Sequence, residues 1–215
     1  MDVAVSPLVV AFGVLGLVVG MAADRLSARW PAHDDGAVRG RDWRTVVLSL
    51  GGAAAFAALA ARWTEPLDLA ILSVYFVALL VLMATDLDQK LLPDLITLPL
   101  IGVAVVLVVT GLDPLLAGKE QPIASALIAG IGAPVLLFAL DVVVKGALGI
   151  GDLKLAAGLG LMSGVSRLFG GLVVASIAAA VVLVVLIVAR RLTMKTAIPF
   201  GPILILGGIL AALAP

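Results

Sequence analysis

Long apolar runs separated by short polar stretches make up most of this sequence. Runs of about 17–25 apolar residues are long enough to cross a bilayer as helices. The run from Leu153 to Ala189 is too long for one crossing, so we divide it at Ser163–Arg167. The pattern then predicts eight crossings, with the sixth the shortest: Ala4–Ala22, Thr45–Ala61, Leu67–Thr85, Leu95–Gly111, Pro122–Val144, Leu153–Gly164, the remainder of the long run to Ala189, and Ile198–Ala214.

The basic residues between these crossings indicate an orientation. With the N-terminus outside, the cytoplasmic connections hold 11 Lys and Arg residues, whereas the other side holds only Arg62, Lys119 and Arg167. Cytoplasmic loops are enriched in Lys and Arg, so this difference supports eight crossings with the N-terminus outside. The first run lacks a basic leading region and is predicted to be a retained helix rather than a cleaved signal peptide. The longest connection, residues 23–44, is predicted to be a short, solvated cytoplasmic loop.

Composition excludes several classes of protein. The chain is 63% hydrophobic and 13% charged, with a mean hydropathy of +1.26, whereas a soluble fold of this size must present a polar exterior. The 14 Lys and Arg residues balance 14 Asp and Glu residues, which leaves no basic surface for nucleic acid. There is no cysteine and only one histidine, His33, so we expect no metal site. We expect one membrane-embedded domain over residues 1–215.

Two polar blocks lie at predicted membrane boundaries, both on the cytoplasmic side. An ionised carboxylate in hydrocarbon is costly, so acidic residues at such boundaries require an explanation. The ordinary explanation for a single Asp is an interfacial charge or a helix cap. We therefore expect Asp94 to cap the fourth crossing, Asp88 to be solvated and Lys154 to reach the lipid headgroups. The blocks are Asp86-Leu-Asp88-Gln-Lys90-Leu-Leu-Pro93-Asp94 and Gly149-Ile-Gly151-Asp152-Leu-Lys154.

Asp86 and Asp152 differ from the other acidic residues. Asp86 continues an apolar run and is predicted to lie just inside the interface, facing the bundle. Asp152 follows Gly149 and Gly151, and glycine permits both positive φ and the close approach of another backbone. Two carboxylates that converge share one proton. They then provide the acid and the base that peptide hydrolysis by a bound water requires.

Small residues recur at four-residue spacing along the sixth crossing. Ala156, Gly160 and Gly164 lie on one helical face. Small residues let membrane helices approach closely. We expect this face to pack against the third crossing, which carries Asp86.

The two polar blocks resemble signature blocks of bacterial type IV prepilin leader peptidases. A third block, Ile198-Pro-Phe-Gly-Pro-Ile-Leu204, is similar to that family's last-helix signature, and the resemblance runs from about Thr45 to the C-terminus. It implies an intramembrane aspartic endopeptidase of the GxGD type, which removes the basic leader of type IV prepilins or pseudopilins at the cytoplasmic membrane face. By position, the two catalytic aspartates of the family fall on Asp86 and Asp152. Asp88 and Asp94 match acidic positions that are available to attract a basic leader.

The N-terminal part differs from that of the fuller family members. Many of them carry a larger cytoplasmic region with paired CxxC zinc motifs, associated with N-methylation of the new pilin N-terminus. Residues 23–44 stand in its place here and contain no cysteine. S-adenosylmethionine is therefore an expected cofactor only if methyltransferase activity is retained. The resemblance implies a multi-pass protein of the bacterial inner membrane with prepilin substrates. It indicates no oligomeric state.

Two other functions are compatible with the carboxylates. A proton- or cation-coupled transporter uses intramembrane acids to bind or relay its ion. A scaffold protein of a secretion machine would use them only structurally. The three blocks in family order favour the peptidase over both alternatives.

Overall fold

The structure, a computed structural model, describes residues 6–32, 38–144, 148–189 and 200–214. Its ordered elements in these ranges are all α-helices, so the predicted all-α class is confirmed. Five of the described helices are long and apolar enough to cross a membrane, and the other two, α4 and α7, are shorter and also apolar. The helices are α1 (Pro7–Ser27), α2 (Trp43–Arg62), α3 (Pro66–Gln89), α4 (Asp94–Thr110), α5 (Pro122–Val144), α6 (Ile150–Val188) and α7 (Gly201–Leu213).

Local sequence signals define several helix ends. At the start of α2 the Asp42 carboxylate accepts from the Arg44 amide at 2.8 Å, and the Asp42 amide donates to the Thr45 hydroxyl at 3.3 Å. This reciprocal arrangement is a capping box. Lys90 ends α3 in the left-handed conformation, with φ 54° and ψ 41°. Because α3 ends only at Gln89, it continues past its apolar run, and Asp86 lies in its last turn.

The core of the bundle is built on α3. Phe76, Leu72 and Leu79 of this helix are fully buried. The Phe76 ring meets Phe56 of α2 edge to face, with ring centroids 5.9 Å apart. Large apolar side chains on the outer faces of the helices are exposed, including Val74 of α3 at 68%. Such a surface is suited to contact with lipid rather than with water.

α6 is broken at Gly164, where φ is 64° and ψ is 179°. Ala156 before the break and Ser176 after it line the same cavity of about 120 Å³. In one straight helix these residues would be about 30 Å apart, so the two arms of α6 fold back against each other. The Val165 amide donates to the Ser125 hydroxyl of α5 at 3.1 Å and thereby anchors the second arm. Gly164 lies within Ser163–Arg167, where the length of the apolar run required a division.

The small-residue face of α6 packs on α5, and the predicted packing against the third crossing is wrong. A Cβ atom at Gly160 would meet the backbone of Ala129, and one at Gly164 would lie 2.6 Å from the Ser125 hydroxyl. These glycines let α5 approach the first arm and the turn of α6 backbone to backbone. Among the described helices, the backbone of α3 lies close to those of α1, α2, α4 and α7, whereas α3 meets α6 through side chains, as at Tyr75 and Ser163.

The helix ends gather at two ends of the bundle. The Asp86 end contains the end of α3 and the starts of α4, α6 and α7. The opposite end, called the Asp113 end, contains the α4–α5 connection, the turn of α6 and the end of α7. There Lys119 donates to the Ser166 hydroxyl at 3.2 Å, and Arg167 donates to the Ala214 carbonyl at 2.7 Å. The Trp63 indole donates to the Ala212 carbonyl at 3.0 Å.

Candidate active site

Asp86 lies at the inner wall of the site. Its side chain is buried, with 4% exposure. One carboxylate oxygen, Oδ2, has no hydrogen-bond partner among the described residues. The carboxylate faces the first residue of α7, because a Cβ atom built on Gly201 would lie 2.7 Å from Asp86 Cγ. Asp86 is therefore enclosed by backbone on one side, and one of its buried oxygens has no hydrogen-bond partner among the described residues.

Asp152 is presented by the first turn of α6. Its Oδ2 accepts a hydrogen bond from the Gly149 amide at 3.0 Å. Gly149 is the N-cap residue with φ −83°, so it does not use the positive φ that glycine permits. The predicted close approach occurs at Gly151, where a Cβ atom would lie 3.0 Å from Leu92 Cβ. This contact brings the α3–α4 connection onto the start of α6.

Asp86 and Asp152 come from different helices and are electrostatic neighbours. The charged groups that act on Asp86 are the Asp152 carboxylate and the Lys90 ammonium. Neighbouring carboxylates that share a proton offer one acid and one base to a bound water. The two carboxylates make this end of the bundle the candidate active site.

Asp94 and Lys154 form an ion pair between the first turns of α4 and α6. The Lys154 ammonium donates to both Asp94 oxygens, at 2.6 and 2.7 Å. The N-cap position of α4 is occupied by Pro93. The prediction that Asp94 caps α4 is therefore wrong, whereas the prediction that Lys154 reaches the headgroups stays a prediction. The pair instead links the start of α4 to the start of α6.

Asp88 is buried, and the prediction that it is solvated is also wrong. Its side chain is 3% exposed and lies 2.8 Å from Arg39 Nε and 3.0 Å from Arg44 Nη1. Arg39 comes from the connection that leads into α2, and Arg44 comes from the first turn of α2. Asp88 is thus engaged in internal ion pairs, next to the catalytic candidate Asp86 but without access to a ligand.

The connection itself is held by a second buried carboxylate, Asp24 near the end of α1. Asp24 is fully buried and accepts hydrogen bonds from Arg25, from Arg39 at 2.5 Å and from the Thr45 hydroxyl at 2.6 Å. The prediction of a solvated loop therefore misses this network. The alternation of Asp and Arg between residues 24 and 44 is the sequence signal that could have indicated it.

Arg39 is the centre of the network. Burial alone would lower the pKa of its guanidinium, but the hydrogen-bonded Asp24 carboxylate, together with Asp88 and Asp42, holds that pKa above its ordinary value. The guanidinium therefore stays charged, and each of its nitrogen atoms lies 2.5–2.8 Å from a carboxylate oxygen. Arg39 joins the ends of α1 and α3 to the start of α2.

The described residues contain no group of three or more His, Cys, Asp and Glu side chains placed to hold a metal ion. His33 lies outside the described residues. In the third block, Ile198 and Pro199 also lie outside them, whereas Phe200 and the start of α7 are described.

Fold and site together define an all-helical membrane protein with two neighbouring carboxylates at one end of the bundle. Comparison with known families matches residues 73–184 to the type IV leader peptidase family, a segment that contains both carboxylates. The match covers more than half of the chain, and the chain belongs to this family. No solved structure matches it.

Curated relatives agree with this assignment. The chain is 35% identical over 133 residues to a prepilin leader peptidase/N-methyltransferase of Aeromonas salmonicida, covering 60% of this chain and 43% of the relative. It is 31% identical over 172 residues to one of Pseudomonas putida, covering 79% of this chain and 58% of the relative. A third, from Burkholderia pseudomallei, is 34% identical over 136 residues, covering 61% and 42%. The chain spans about half the length of these relatives.

Proposed function

We propose that this chain is an intramembrane aspartic endopeptidase that removes the basic leader from type IV prepilins or pseudopilins. The observation that carries the proposal is the carboxylate pair within the family segment. Asp86 is buried with one oxygen that has no hydrogen-bond partner among the described residues, and Asp152 is its charged neighbour from a second helix. The names of the curated relatives support the substrate class. Membership of a peptidase family favours this function over an ion-coupled transporter.

The proposed reaction uses one ionised and one protonated aspartate. The ionised carboxylate takes a proton from a water, whose oxygen attacks the scissile carbonyl carbon. The protonated carboxyl donates a hydrogen bond to the carbonyl oxygen and stabilises the negative charge that develops there. When the C–N bond breaks, the amine leaves with the proton taken from the water. Since the two groups titrate as a pair, either residue can start as the base.

Other residues of the site have supporting roles in this proposal. The Gly149 amide orients the Asp152 carboxylate through its hydrogen bond. Gly151 leaves room for Leu92, which brings the α3–α4 connection close. The pair between Asp94 and Lys154 holds the starts of α4 and α6 together beside the catalytic carboxylates. Cleavage needs no cofactor in this mechanism, and S-adenosylmethionine is not part of it.

We also propose eight membrane crossings, with the N-terminus outside and the Asp86 end at the cytoplasmic face of the inner membrane. The reversal of α6 at Gly164 supports this count, because its two arms supply separate crossings. The charges support the orientation. The described basic residues at the Asp86 end are Arg25, Arg29, Arg39, Arg41, Arg44, Lys90 and Lys154, and those at the Asp113 end are Arg62, Lys119 and Arg167.

In this topology the substrate meets the site at the membrane surface. The apolar helix of the pilin lies in the bilayer, and its basic leader stays on the cytoplasmic side. The scissile bond between them then falls at the level of Asp86 and Asp152. Residues 1–215 act as a single membrane-embedded domain in this arrangement.

Cleavage of a prepilin in membranes tests the proposal. Asp86→Asn and Asp152→Asn keep the size of the side chain but remove the acid–base group, so each is expected to lower the cleavage rate by about 10²–10⁴-fold. Asp68→Asn is the matched control, since Asp68 is a partly exposed carboxylate at the opposite end of α3. The three variants are compared at equal amounts of inserted protein.

Each result has a defined meaning. Loss of cleavage in both site variants, with normal cleavage by Asp68→Asn, supports the dyad. Normal cleavage by either site variant contradicts the dyad. A wild-type chain that cuts none of a panel of prepilins and pseudopilins contradicts the substrate assignment, and ion flux in proteoliposomes then tests the transporter.

A further inference from the structure

The first residue of α7, Gly201, lies directly against the Asp86 side chain. A Cβ atom built on Gly201 would lie 2.7 Å from both Cγ and Oδ2 of Asp86 and 3.0 Å from Oδ1. All three atoms belong to the carboxylate. A methyl group at residue 201 would therefore overlap the carboxylate itself rather than a flexible apolar neighbour.

Backbone conformation does not require glycine at this position. Gly201 begins a regular helix, and the glycines with positive φ in the described chain are Gly111, Gly118 and Gly164. What the absence of a side chain provides at residue 201 is space. The Asp86 side chain, which is only 4% exposed, occupies that space.

The surroundings of the carboxylate make a small displacement costly. Thr85, the preceding residue of α3, is fully buried. In α7, the Ile203 and Leu204 amides both bond to the Phe200 carbonyl, at 3.1 and 3.2 Å, and Pro202 has no N–H. Asp86 Oδ2, which has no hydrogen-bond partner within the described residues, lies on the Cβ side of Gly201 at this first turn. The positive end of α7 favours a negative charge at this place.

We propose that Gly201 is a positioning residue: it lets the start of α7 back the Asp86 carboxylate and fix the direction in which that carboxylate faces Asp152. This inference rests on the proposed catalytic role of Asp86. It gives the start of α7 a function in the reaction, although no atom of Gly201 reacts with the substrate.

The test compares Gly201→Ala with Gly132→Ala in the purified full chain. Gly132 lies in α5, and nothing lies within 4 Å of a Cβ atom built on it, so it accepts a methyl group without contact. Displacement of a catalytic group by about 1 Å costs about 100-fold in rate, so we expect Gly201→Ala to lower kcat for prepilin cleavage by about 100-fold. KM is expected to stay unchanged, and the overlap at Gly201→Ala is expected to lower the midpoint of thermal unfolding. Gly132→Ala is expected to cleave and unfold as wild type.

A second readout reports on the carboxylate without using activity. A hydrophobic carbodiimide labels buried carboxyl groups, and mass spectrometry measures labelling at Asp86 against Asp113, which is 3% exposed at the opposite end of the bundle. We expect Gly201→Ala to raise labelling of Asp86 and leave labelling of Asp113 unchanged. General loosening of the fold would raise both and would contradict a positioning role.

The outcomes separate this inference from the proposed function. If Asp86→Asn abolishes cleavage but Gly201→Ala cleaves and labels as wild type, the positioning role is wrong and the dyad stands. If Asp86→Asn cleaves normally, the dyad and with it the catalytic importance of Gly201 are wrong, and the labelling ratio still decides whether Gly201 sets the position of Asp86.

Discussion

Buried carboxylates lie at both ends of the bundle. Asp113, in the connection between α4 and α5, is 3% exposed, and its Oδ1 accepts from the Leu115 amide at 2.9 Å. Its Oδ2 has no partner among the described residues. Burial raises the pKa of Asp113 to about 7, although backbone hydrogen bonds from Leu115 and Leu116 and the charge of Arg167 act in the opposite direction. This carboxyl group is therefore protonated over much of the acidic range.

Asp113 should make the stability of the protein fall as the pH rises. The folded chain binds this proton more tightly than the unfolded chain, whose Asp pKa is 3.8. The contribution is complete below pH 3.8 and is lost as the pH rises to about 7, with a size on the order of 4 kcal/mol. Asp113→Asn keeps an acceptor for Leu115 and removes the titration. Thermal unfolding in detergent between about pH 4 and pH 7 should show a steeper fall for wild type than for this variant.

Glu120→Gln serves as the control, since Glu120 is an exposed carboxylate in the same connection. Identical slopes for wild type and Asp113→Asn would show that Asp113 titrates alike in the folded and unfolded chains.

At the residue scale, the sequence locates the acidic residues better than it locates their partners. Apolar flanks mark Asp86 as different from Asp88, and the structure places these two side chains in different environments. Nothing local in the sequence pairs Asp88 with Arg44 or Asp94 with Lys154, because these partners are separated by 44 and 60 residues. Such pairs form only when the helices pack, so the residue pattern alone does not predict them.

At the element scale, the turn of α6 depends on Gly164. Its backbone, with φ 64° and ψ 179°, lies in a region that is essentially restricted to glycine. A Cβ atom there would also lie 2.6 Å from the Ser125 hydroxyl and 2.8 Å from Leu116 Cδ2. Ser125 binds the Val165 amide, so a clash at this point weakens the anchor of the second arm as well.

Gly164→Ala should therefore destabilise the protein by at least about 1–3 kcal/mol through backbone strain. Gly170→Ala is the matched control on the same helix, because nothing lies within 4 Å of a Cβ atom at Gly170. Alanine is favoured over glycine inside a helix, so the control should be neutral or slightly stabilising. Thermal unfolding of both variants in detergent measures the difference. Equal midpoints would show that α6 does not need the turn at Gly164.

The positions of the helices follow from the apolar pattern, whereas their ends and contacts do not. The apolar pattern predicts that the third crossing ends at Thr85, but α3 continues to Gln89. The apolar pattern marks the part of a helix that lies in lipid, and polar residues beyond it can still be helical. Small residues on α6 correctly indicate a closely packed face. They carry no information on the neighbour, since Gly160 accommodates the backbone of any adjacent helix and here meets α5.

At the scale of the whole molecule, the two ends of the bundle differ in charge and in chemistry. The ion-pair network of Asp24, Arg39 and Asp88 and the candidate catalytic pair all lie at the Asp86 end. The Asp113 end carries the turn of α6, tied down by Lys119 and Arg167. The proposed orientation follows from this polarity, and it makes a prediction about which connections are reachable from outside the cell.

The absence of cysteine allows this to be tested with single introduced cysteines. Glu120→Cys, in the α4–α5 connection, and Ser166→Cys, in the turn of α6, should react with a membrane-impermeant maleimide in intact cells, because both positions are exposed at the Asp113 end. Gly40→Cys, exposed at the Asp86 end, should react only after the inner membrane is permeabilised. The parent chain is the blank. Labelling of Gly40→Cys alone in intact cells would invert the orientation. If Glu120→Cys reacts and Ser166→Cys does not, the two arms of α6 do not return to the same side, and the count of eight crossings is wrong.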